Sequence, residues 1–568
     1  MSNVFFIALR RLRAPIILMI LVFALATVGL ALIPGVDGDG RPAHLTLFQA
    51  FYFVTYTATT IGFGEIPHPF TDVQRLWVTF VIFLSVIGWA YMLSALLGLS
   101  QDQGFQQSLV AARFRRGVSG LNEPFYVICG FGETGLMVVR ALDRLGFRFV
   151  VVDTDPMRLH ELELQDLSVD TLGLAADARV PETLIMAGIM KDECRGVLVL
   201  SNDDQVNLAI ALAAHILHKG LPILARSHTP AVTVTLQSVA ECLVIDPFEE
   251  FARRLLLAMK APDSHRLLTW LTAPPNTRLR PRVSAPAGAW IVCGYGRFGA
   301  QLVAAIERGG FDVVIVDPVG QDAERWRVVR GLGTDRGVLT AAGIAEAAGI
   351  VAGTDDDTAN LAIAITARKL NPRLFVIARQ NLVANRPLFV SLAADMTMVA
   401  SQIIANECVA TLRTPLLADF LAIVESRDDA WAHAVLERLR PITRDETPEF
   451  WSFAIAPAET PGLLDLLVRL QAVVTVGDLT RRISDRAQQA DAVLLLLVRD
   501  GRSVELPAAT IAVHGGDRLL FAGTAAAEAE MRALCANAHV ADWVLTGHGA
   551  PGGSLWRRLT SRARPDRA

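Results

Sequence analysis

Cysteine is scarce in this 568-residue chain, and the six present lie far apart. Cys129, Cys194, Cys242, Cys293, Cys408 and Cys535 form no CxxC pair and no Cys/His cluster. That pattern excludes a disulfide framework and a zinc site, and it fits reduced, buried thiols facing a cytosol. An excess of one charge is lacking too. With 53 Lys and Arg against 57 Asp and Glu, the formal net charge is −4, so there is no global nucleic-acid footprint. The length in turn excludes one core: at roughly 150 residues per domain it implies three or four units.

What abounds is apolar side chain, 52% of the residues, which is high for a soluble protein. Ile16 to Ile33 and Leu76 to Leu99 are continuous apolar runs. Each is long enough to cross a hydrocarbon core of roughly 30 Å as a helix. Leu32-Ile33-Pro34-Gly35 offers no small-x-small cleavage site after the first run, against a signal peptide. Arg10, Arg11 and Arg13 precede the first run, and Arg113, Arg115 and Arg116 follow the second. Two spans return the chain to its starting side, which puts both basic clusters in the cytoplasm. The expectation is a multi-pass protein of the cell (inner) membrane, with both termini and everything beyond about residue 100 cytoplasmic.

Between the runs, residues 45–65 read LTLFQAFYFVTYTATTIGFGE. The first half is helix-compatible but too short to cross, and the second is rich in threonine and glycine. Irregular backbone at membrane depth is tolerated only where protein buries it or it lines a watery cavity. A short helix running in and a glycine-rich segment running out meet that condition when several copies surround an axis. Glycine's access to positive φ lets successive carbonyls face one way and replace a cation's hydration shell.

Thr60-Ile61-Gly62-Phe63-Gly64 resembles, position by position, the T-V-G-Y-G filter of potassium channels, the family in which that carbonyl-ring geometry is established. The resemblance implies K⁺ as the permeant ion. It also implies ion sites made by the main-chain carbonyls of Thr60, Ile61, Gly62 and Phe63 with the Thr60 hydroxyl, and four copies around the axis. Phe63 for tyrosine removes a hydroxyl that braces the filter against the pore helix in many relatives. Glu65 stands where aspartate is usual. Gly88, mid-way along the second run, reads equally as a gating hinge and as a close-packing glycine. No arginine-rich sensor helix accompanies these spans.

The remainder is one unit written twice. A β-branched run leads into Gly130-Phe131-Gly132-Glu133-Thr134-Gly135, and a second leads into Gly294-Tyr295-Gly296-Arg297-Phe298-Gly299. Each G-x-G-x-x-G is followed by an amphipathic segment and a second strand ending in an acid. Asp153 lies 23 residues beyond Gly130, and Asp317 lies 23 beyond Gly294. GVLVLSNDDQVNLAIALAA, from Gly196, pairs with GIVAGTDDDTANLAIAITA, from Gly349. Asn207 precedes Arg226 by 19 residues, as Asn360 precedes Arg379. Alternating strands and helices at this spacing predict a doubly wound parallel sheet in each copy, with dinucleotide-type glycine loops. Helix N-terminal amides would meet phosphates there. Asp153 would accept from ribose hydroxyls and repel a 2′-phosphate, favouring NAD(H) or an adenine nucleotide over NADP(H).

These units resemble RCK domains, the regulators of potassium conductance related to the Trk and Kef regulatory subunits. The resemblance implies a further nucleoside-facing acid in a G-D-A-type motif, matched by Asp177 of Ala176-Asp177-Ala178. In the second copy, Asp335 is a candidate counterpart, although the intervening segment is 11 residues shorter. Nucleotide binding is expected at Gly130, Phe131, Gly132, Glu133, Thr134, Gly135, Asp153 and Asp177. Gly294, Gly296, Arg297, Phe298, Gly299 and Asp317 form a second candidate site. Asp355-Asp356-Asp357 could hold Ca²⁺ through carboxylate oxygens. Helix capping explains that run, and Asn202-Asp203-Asp204 in the first copy, without a metal.

The expected fold is a membrane α-helical pore domain of two transmembrane helices plus a pore helix, then two α/β Rossmann-like RCK domains and a small α+β C-terminal lobe. The expected divisions are a pore domain (1–100), a linker (101–124), a first RCK domain (125–273) and a second linker (274–288). A second RCK N-lobe (289–440), a C-lobe (441–525) and an extension with a basic tail (526–568) follow. Four chains carry eight RCK units, which the resemblance implies form a gating ring, so a homotetramer is expected. No third domain offers a convergent acid, base or nucleophile, which argues against an NAD-dependent oxidoreductase. A regulatory subunit serving a separate transporter would not need a filter of its own.

Overall fold

The structure, a computed structural model, describes residues 2–37, 41–65, 68–274, 276–319, 325–470 and 473–547. The expected basic tail lies outside the described residues. The chain divides into two compact units, Met1–Asn122 and Glu123–Ala568.

The first unit comprises α1 (Ser2–Leu32), the two-residue strands β1 (Gly35–Val36) and β2 (Pro42–Ala43), α2 (Leu47–Ala58), α3 (Asp72–Ser100) and α4 (Gln103–Ser119). Leu12–Leu32 and Asp72–Ser100 are long and apolar enough to cross a membrane. Both later helices start at a Thr-x-x-Gln capping box. Thr46 and Gln49 satisfy each other's backbone amides at the head of α2, and Thr71 and Gln74 do the same for α3. Phe53, Tyr56 and Phe70 are buried between the helices. Ile20, Leu21, Phe83 and Ile87 remain exposed, as side chains facing hydrocarbon would be. Helix α3 runs unbroken through Gly88, where an added Cβ would come 3.0 Å from the Met19 sulfur of α1. The geometry thus gives Gly88 a packing role.

The second unit contains two six-stranded parallel sheets. The first has the order β5-β4-β3-β6-β7-β8, formed by β3 (Phe125–Cys129), β4 (Arg148–Asp153), β5 (Leu172–Ala175), β6 (Cys194–Val199), β7 (Ile223–Arg226) and β8 (Leu243–Ile245). The second has the order β11-β10-β9-β12-β13-β14. Its strands are β9 (Trp290–Cys293), β10 (Val313–Asp317), β11 (Arg327–Arg330), β12 (Gly349–Ala352), β13 (Phe375–Gln380) and β14 (Met396–Val399). Both orders place a switch point beside the strand that carries the glycine loop, where doubly wound sheets open a crevice. Every residue of β3, β9 and β12 is buried, so these strands read as unbroken apolar runs.

Helices cover both faces of each sheet. In the first copy they are α5 (Glu133–Arg144), α6 (Pro156–Glu163), α7 (Pro181–Met186), α8 (Asp204–Leu217), α9 (Pro230–Val239), α10 (Pro247–Lys260) and α11 (Pro262–Leu271). In the second they are α12 (Arg297–Gly309), α13 (Arg336–Ala341), α14 (Asp357–Leu370), α15 (Arg386–Leu392) and α16 (Ala400–Arg413). The repeated 19-residue spacing has a structural cause. The amide of Asn207 donates to the carbonyls of Ser201 and Arg226, both at 2.9 Å, and Asn360 donates to Thr354 and Arg379 at 2.9 and 2.8 Å. Each buried Asn thus staples the crevice loop to the neighbouring strand end.

The copies exchange their tail helices. Phe248, Phe251 and Leu255 of α10 bury against Phe298, Leu302 and Ile306 of α12, in the other copy. Ile404, Ala405 and Cys408 of α16 bury against Val138, Val139 and Leu142 of α5. Each buried Phe or Leu side chain contributes about 1.5–3 kcal/mol of transfer free energy, so the exchange is a principal source of cohesion. Arg254 ties the two tails together, 2.7 Å from Glu250 on its own helix and 2.6 Å from Glu407 on α16.

The expected boundary at Pro441 falls inside a helix. That proline lies in the last turn of α18 (Asp429–Thr443), which follows α17 (Pro415–Ser426) and packs against α11. A four-stranded antiparallel sheet has the order β15-β18-β16-β17, from β15 (Glu449–Ala454), β16 (Ala492–Arg499), β17 (Arg502–Glu505) and β18 (Arg518–Gly523). Helices α19 (Pro461–Leu470), α20 (Val476–Leu479), α21 (Ala525–Ala536) and α22 (Ala538–Thr546) complete it.

Candidate functional site

Residues 60–64, the expected filter, follow the C-terminal end of α2. The Tyr56 carbonyl accepts from the Ile61 amide at 2.9 Å and the Gly62 amide at 3.3 Å. Thr60, Gly62 and Gly64 have φ of 63°, 66° and 91°, while Ile61 and Phe63 stay negative. Alternating hand along a backbone lines amides on one side and carbonyls on the other. Thr60 holds a conformation that usually selects glycine. The hydroxyl missing from Phe63 has a substitute: the Tyr56 hydroxyl donates to the Gly64 carbonyl at 2.5 Å. The Tyr56 ring also meets Phe63 edge-on at 5.4 Å. Glu65 is clamped, accepting from the Phe70 amide at 2.8 Å and from Arg75 Nε at 2.9 Å.

The first glycine loop opens on a cavity of about 670 Å³ reached by Gly132, Asp153, Asp177 and Arg226. Gly130, at φ 103°, leaves a Cβ only 3.0 Å from the Ser201 nitrogen, so no side chain fits. At Gly135 a Cβ would overlap the Gly130 carbonyl oxygen. Gly132 differs: its Cβ would meet nothing closer than Arg158 Nη1 at 3.8 Å. The chain itself therefore does not require glycine there, and the open space suits a phosphate brought against the backbone. Asp153 is buried, and its carboxylate accepts from the Phe131 amide at 2.6 Å and the Asp155 amide at 2.8 Å. It shapes the loop as well as facing the cavity. The Phe131 side chain packs in the sheet core and contributes only its amide. Asp177 is already paired with Arg179 at 2.7 Å, which holds its carboxyl below the usual range. Glu133 turns to the other copy and accepts from the Val383 amide at 3.1 Å.

The second loop repeats the design around a cavity of about 500 Å³. A Cβ at Gly296 would meet nothing within 4 Å, whereas at Gly299 it would overlap the Gly294 carbonyl. Asp317 accepts from the Tyr295 and Val319 amides, each at 2.9 Å. Strand register corrects the expected match of Asp335 to Asp177. Asp153 pairs with Ala175 and Asp317 with Arg330, so two residues further on Leu332 is the second copy's equivalent of Asp177. Leu332 borders the second cavity, and Asp335 caps α13 by accepting from the Gly337 amide at 2.6 Å. The second site thus lacks the first site's extra acid. Phe298 is buried against Phe248 and Phe251, its ring at the cavity edge.

The calcium expectation fails on geometry. Asp356 caps α14, accepting from the Thr358 amide at 2.7 Å. Asp357 accepts from the Asn381 and Leu382 amides and from Asn385. Among the described residues no three His, Cys, Asp or Glu side chains are grouped to hold a metal ion. Sequence reasoning missed Tyr56, Arg75 and Arg379. Arg379 reaches both cavities, although it lies near the end of β13, a strand of the second copy.

Fold and sites together define a chain in which two helices of membrane-crossing length, with a short helix and a glycine-rich segment between them, precede a pair of dinucleotide-fold domains. Residues 17–100 match the ion channel family model, and residues 126–247 and 290–400 match the TrkA-N domain. The chain thus carries an ion channel domain followed by tandem TrkA-N (RCK) domains, an arrangement similar to that of potassium channel proteins. It is 26% identical over 216 residues to potassium channel protein 1 of Methanocaldococcus jannaschii, covering 38% of this chain and 60% of that one. It is 27% identical over 180 residues to the voltage-gated potassium channel Kch of Escherichia coli, covering 31% and 40%. The match thus spans about half the length of these relatives. Among solved structures it is similar to the GsuK channel, at 18% identity and a TM-score of 0.47, with 92% of this chain and 98% of that one covered.

Proposed function

We propose that the chain forms a potassium-selective channel whose pore is gated by nucleotide binding to its RCK domains. The observation that carries the reading is the alternating backbone of Thr60 to Gly64, held by the Tyr56 carbonyl and hydroxyl. One loop supplies a quarter of a carbonyl ring, so the working assembly is a homotetramer carrying eight RCK units. It sits in the cell membrane with both termini and the RCK units cytoplasmic. The room kept at Gly132 and Gly296 supports NAD(H) or an adenine nucleotide as the ligand. Gly130, Gly132, Thr134 and Gly135 would receive the pyrophosphate, and the remaining lone pairs of Asp153 and Asp177 the ribose. The second loop, with Arg297, would receive a phosphate without the extra acid. A ligand with different affinity for two ring conformations shifts the pore equilibrium, and one with equal affinity does nothing. The nucleotide acts as a regulator rather than a substrate, so the protein is no enzyme.

The test is K⁺ against Na⁺ flux in liposomes holding only this chain, across NAD⁺, NADH, ADP and ATP. Potassium-selective flux that changes with one of them is expected. Absence of flux would favour a regulatory subunit serving another transporter, and cofactor turnover would favour an oxidoreductase.

A further inference from the structure

The two cavities share a wall, and one cation stands in it. Phe248 and Arg379 border both. The Arg379 guanidinium lies 5.1 Å from the centre of the Phe248 ring and 5.6 Å from that of Phe298. Among the described residues that guanidinium has no hydrogen bond or ion pair. Its counterpart Arg226 is engaged otherwise, donating to Asn202 at 2.5 Å and reaching His228 Nε2 at 2.7 Å. Asp355, Arg297 and Asp357 act on Arg379 only through space, and none of them is paired with it. A half-buried guanidinium resting on two aromatic faces is weakly hydrated and keeps its planar donor fork available.

We propose that Arg379 is a shared anion-recognising group that couples the two pockets negatively, a phosphate in either pocket drawing it away from the other. The proposal rests on the nucleotide reading above. A guanidinium fork gives bidentate geometry to one phosphate at a time. Repulsion between anions on either side of the same wall has the same sign. Linkage makes the effect reciprocal, and about tenfold is within the usual range for coupled sites.

The experiment uses the full chain in detergent and ADP as the probe, followed by titration calorimetry. Gly132→Asp closes the first pocket and Gly296→Asp the second. Neither position is crowded, so each variant leaves the other pocket measurable. The product of the two stepwise association constants of the unmutated chain is expected about tenfold below the product of the two single-pocket constants. Arg379→Gln, added to all three, should bring that ratio most of the way to one, leaving only the smaller direct repulsion between the two anions. A ratio of one in the unmutated chain overturns the proposal without any Arg379 variant being needed. A tenfold ratio that survives Arg379→Gln overturns the role of Arg379. Failure of ADP to bind any of these chains would instead overturn the nucleotide reading beneath it.

Discussion

Gly132 and Gly135 lie three residues apart in one loop, and their replacement by alanine should fail in opposite ways. At Gly135 the new Cβ overlaps the carbonyl oxygen of Gly130, so the loop and α5 must part. Overpacking of this kind costs about 1–3 kcal/mol, and the relaxation also disturbs the buried contact of α5 with α16. At Gly132, φ −85° and ψ −160° are open to alanine, and the nearest atom lies at 3.8 Å. Two small terms then oppose each other. Alanine restricts the unfolded chain, a gain of about 0.4–1 kcal/mol, but it caps a helix less well than glycine by several tenths or more. The sum is close to zero. Gly132→Ala should melt within a few degrees of the parent while binding ADP at least tenfold more weakly, since its methyl stands where a phosphate would approach. Gly135→Ala should lower the melting temperature whether or not ligand is present. Thermal unfolding and ADP titration on the same two proteins decide the matter. Undiminished ADP affinity in Gly132→Ala would refute the phosphate seat, and a parent-like melt for Gly135→Ala would refute the packing argument.

Tyr56→Phe removes the donor to Gly64 and keeps the ring, a loss of about 0.5–1.5 kcal/mol per subunit. Potassium-over-sodium flux should fall, and unchanged selectivity would show that the hydroxyl does not steady the filter. Burial first, and then Arg254 for His265 and Arg226 for His228, push both histidines down to about 4 from 6.5. The unfolded chain therefore binds these protons first, and stability is lost as pH falls from about 6.5 towards 4. The limit is on the order of 3 kcal/mol per histidine. A melting temperature that stays level between pH 7 and pH 5 would contradict this, and His228→Asn should remove part of the slope. Arg254→Met leaves Glu407 buried without its cation and Glu250 with Arg253 alone, at roughly 3–5 kcal/mol. Adding Glu250→Gln and Glu407→Gln should restore much of the loss in chemical denaturation.

Most of the fold was legible because its signals are local. The paired G-x-G-x-x-G loops and the acids 23 residues further on define doubly wound sheets before any coordinate is seen. The exchange of α10 and α16 was not legible. An apolar helix face carries the same pattern whichever sheet it covers, so periodicity is blind to the partner. The Asp177 counterpart was hidden by the 11-residue shortening, which leaves sequence spacing ambiguous. Only the pairing of Asp317 with Arg330 fixes Leu332 in that place. At the filter, attention to Phe63 located a missing hydroxyl but not its replacement. The donor sits eight residues before its acceptor Gly64, on the helix that ends at Ala58, and a residue-by-residue match with relatives cannot show a hydroxyl that has changed position.

The exchanged helices also bear on why the two pockets are best treated as one device. Each glycine loop leads into a helix whose apolar face is covered by the other copy, α5 by α16 and α12 by α10. A ligand that draws a loop amide towards a phosphate therefore pulls on a helix seated in foreign core. Close-packed interiors answer such a pull by switching between arrangements rather than by yielding a little everywhere. Arg254 fastens α10 to α16 through Glu250 and Glu407, so neither tail can shift without straining a buried ion pair. A loop movement in one copy would reach the other through the exchanged helices and their ion pair, alongside the proposed route through Arg379. Two sites joined in this way would respond to their combined occupancy, a property that the proposed gating role requires.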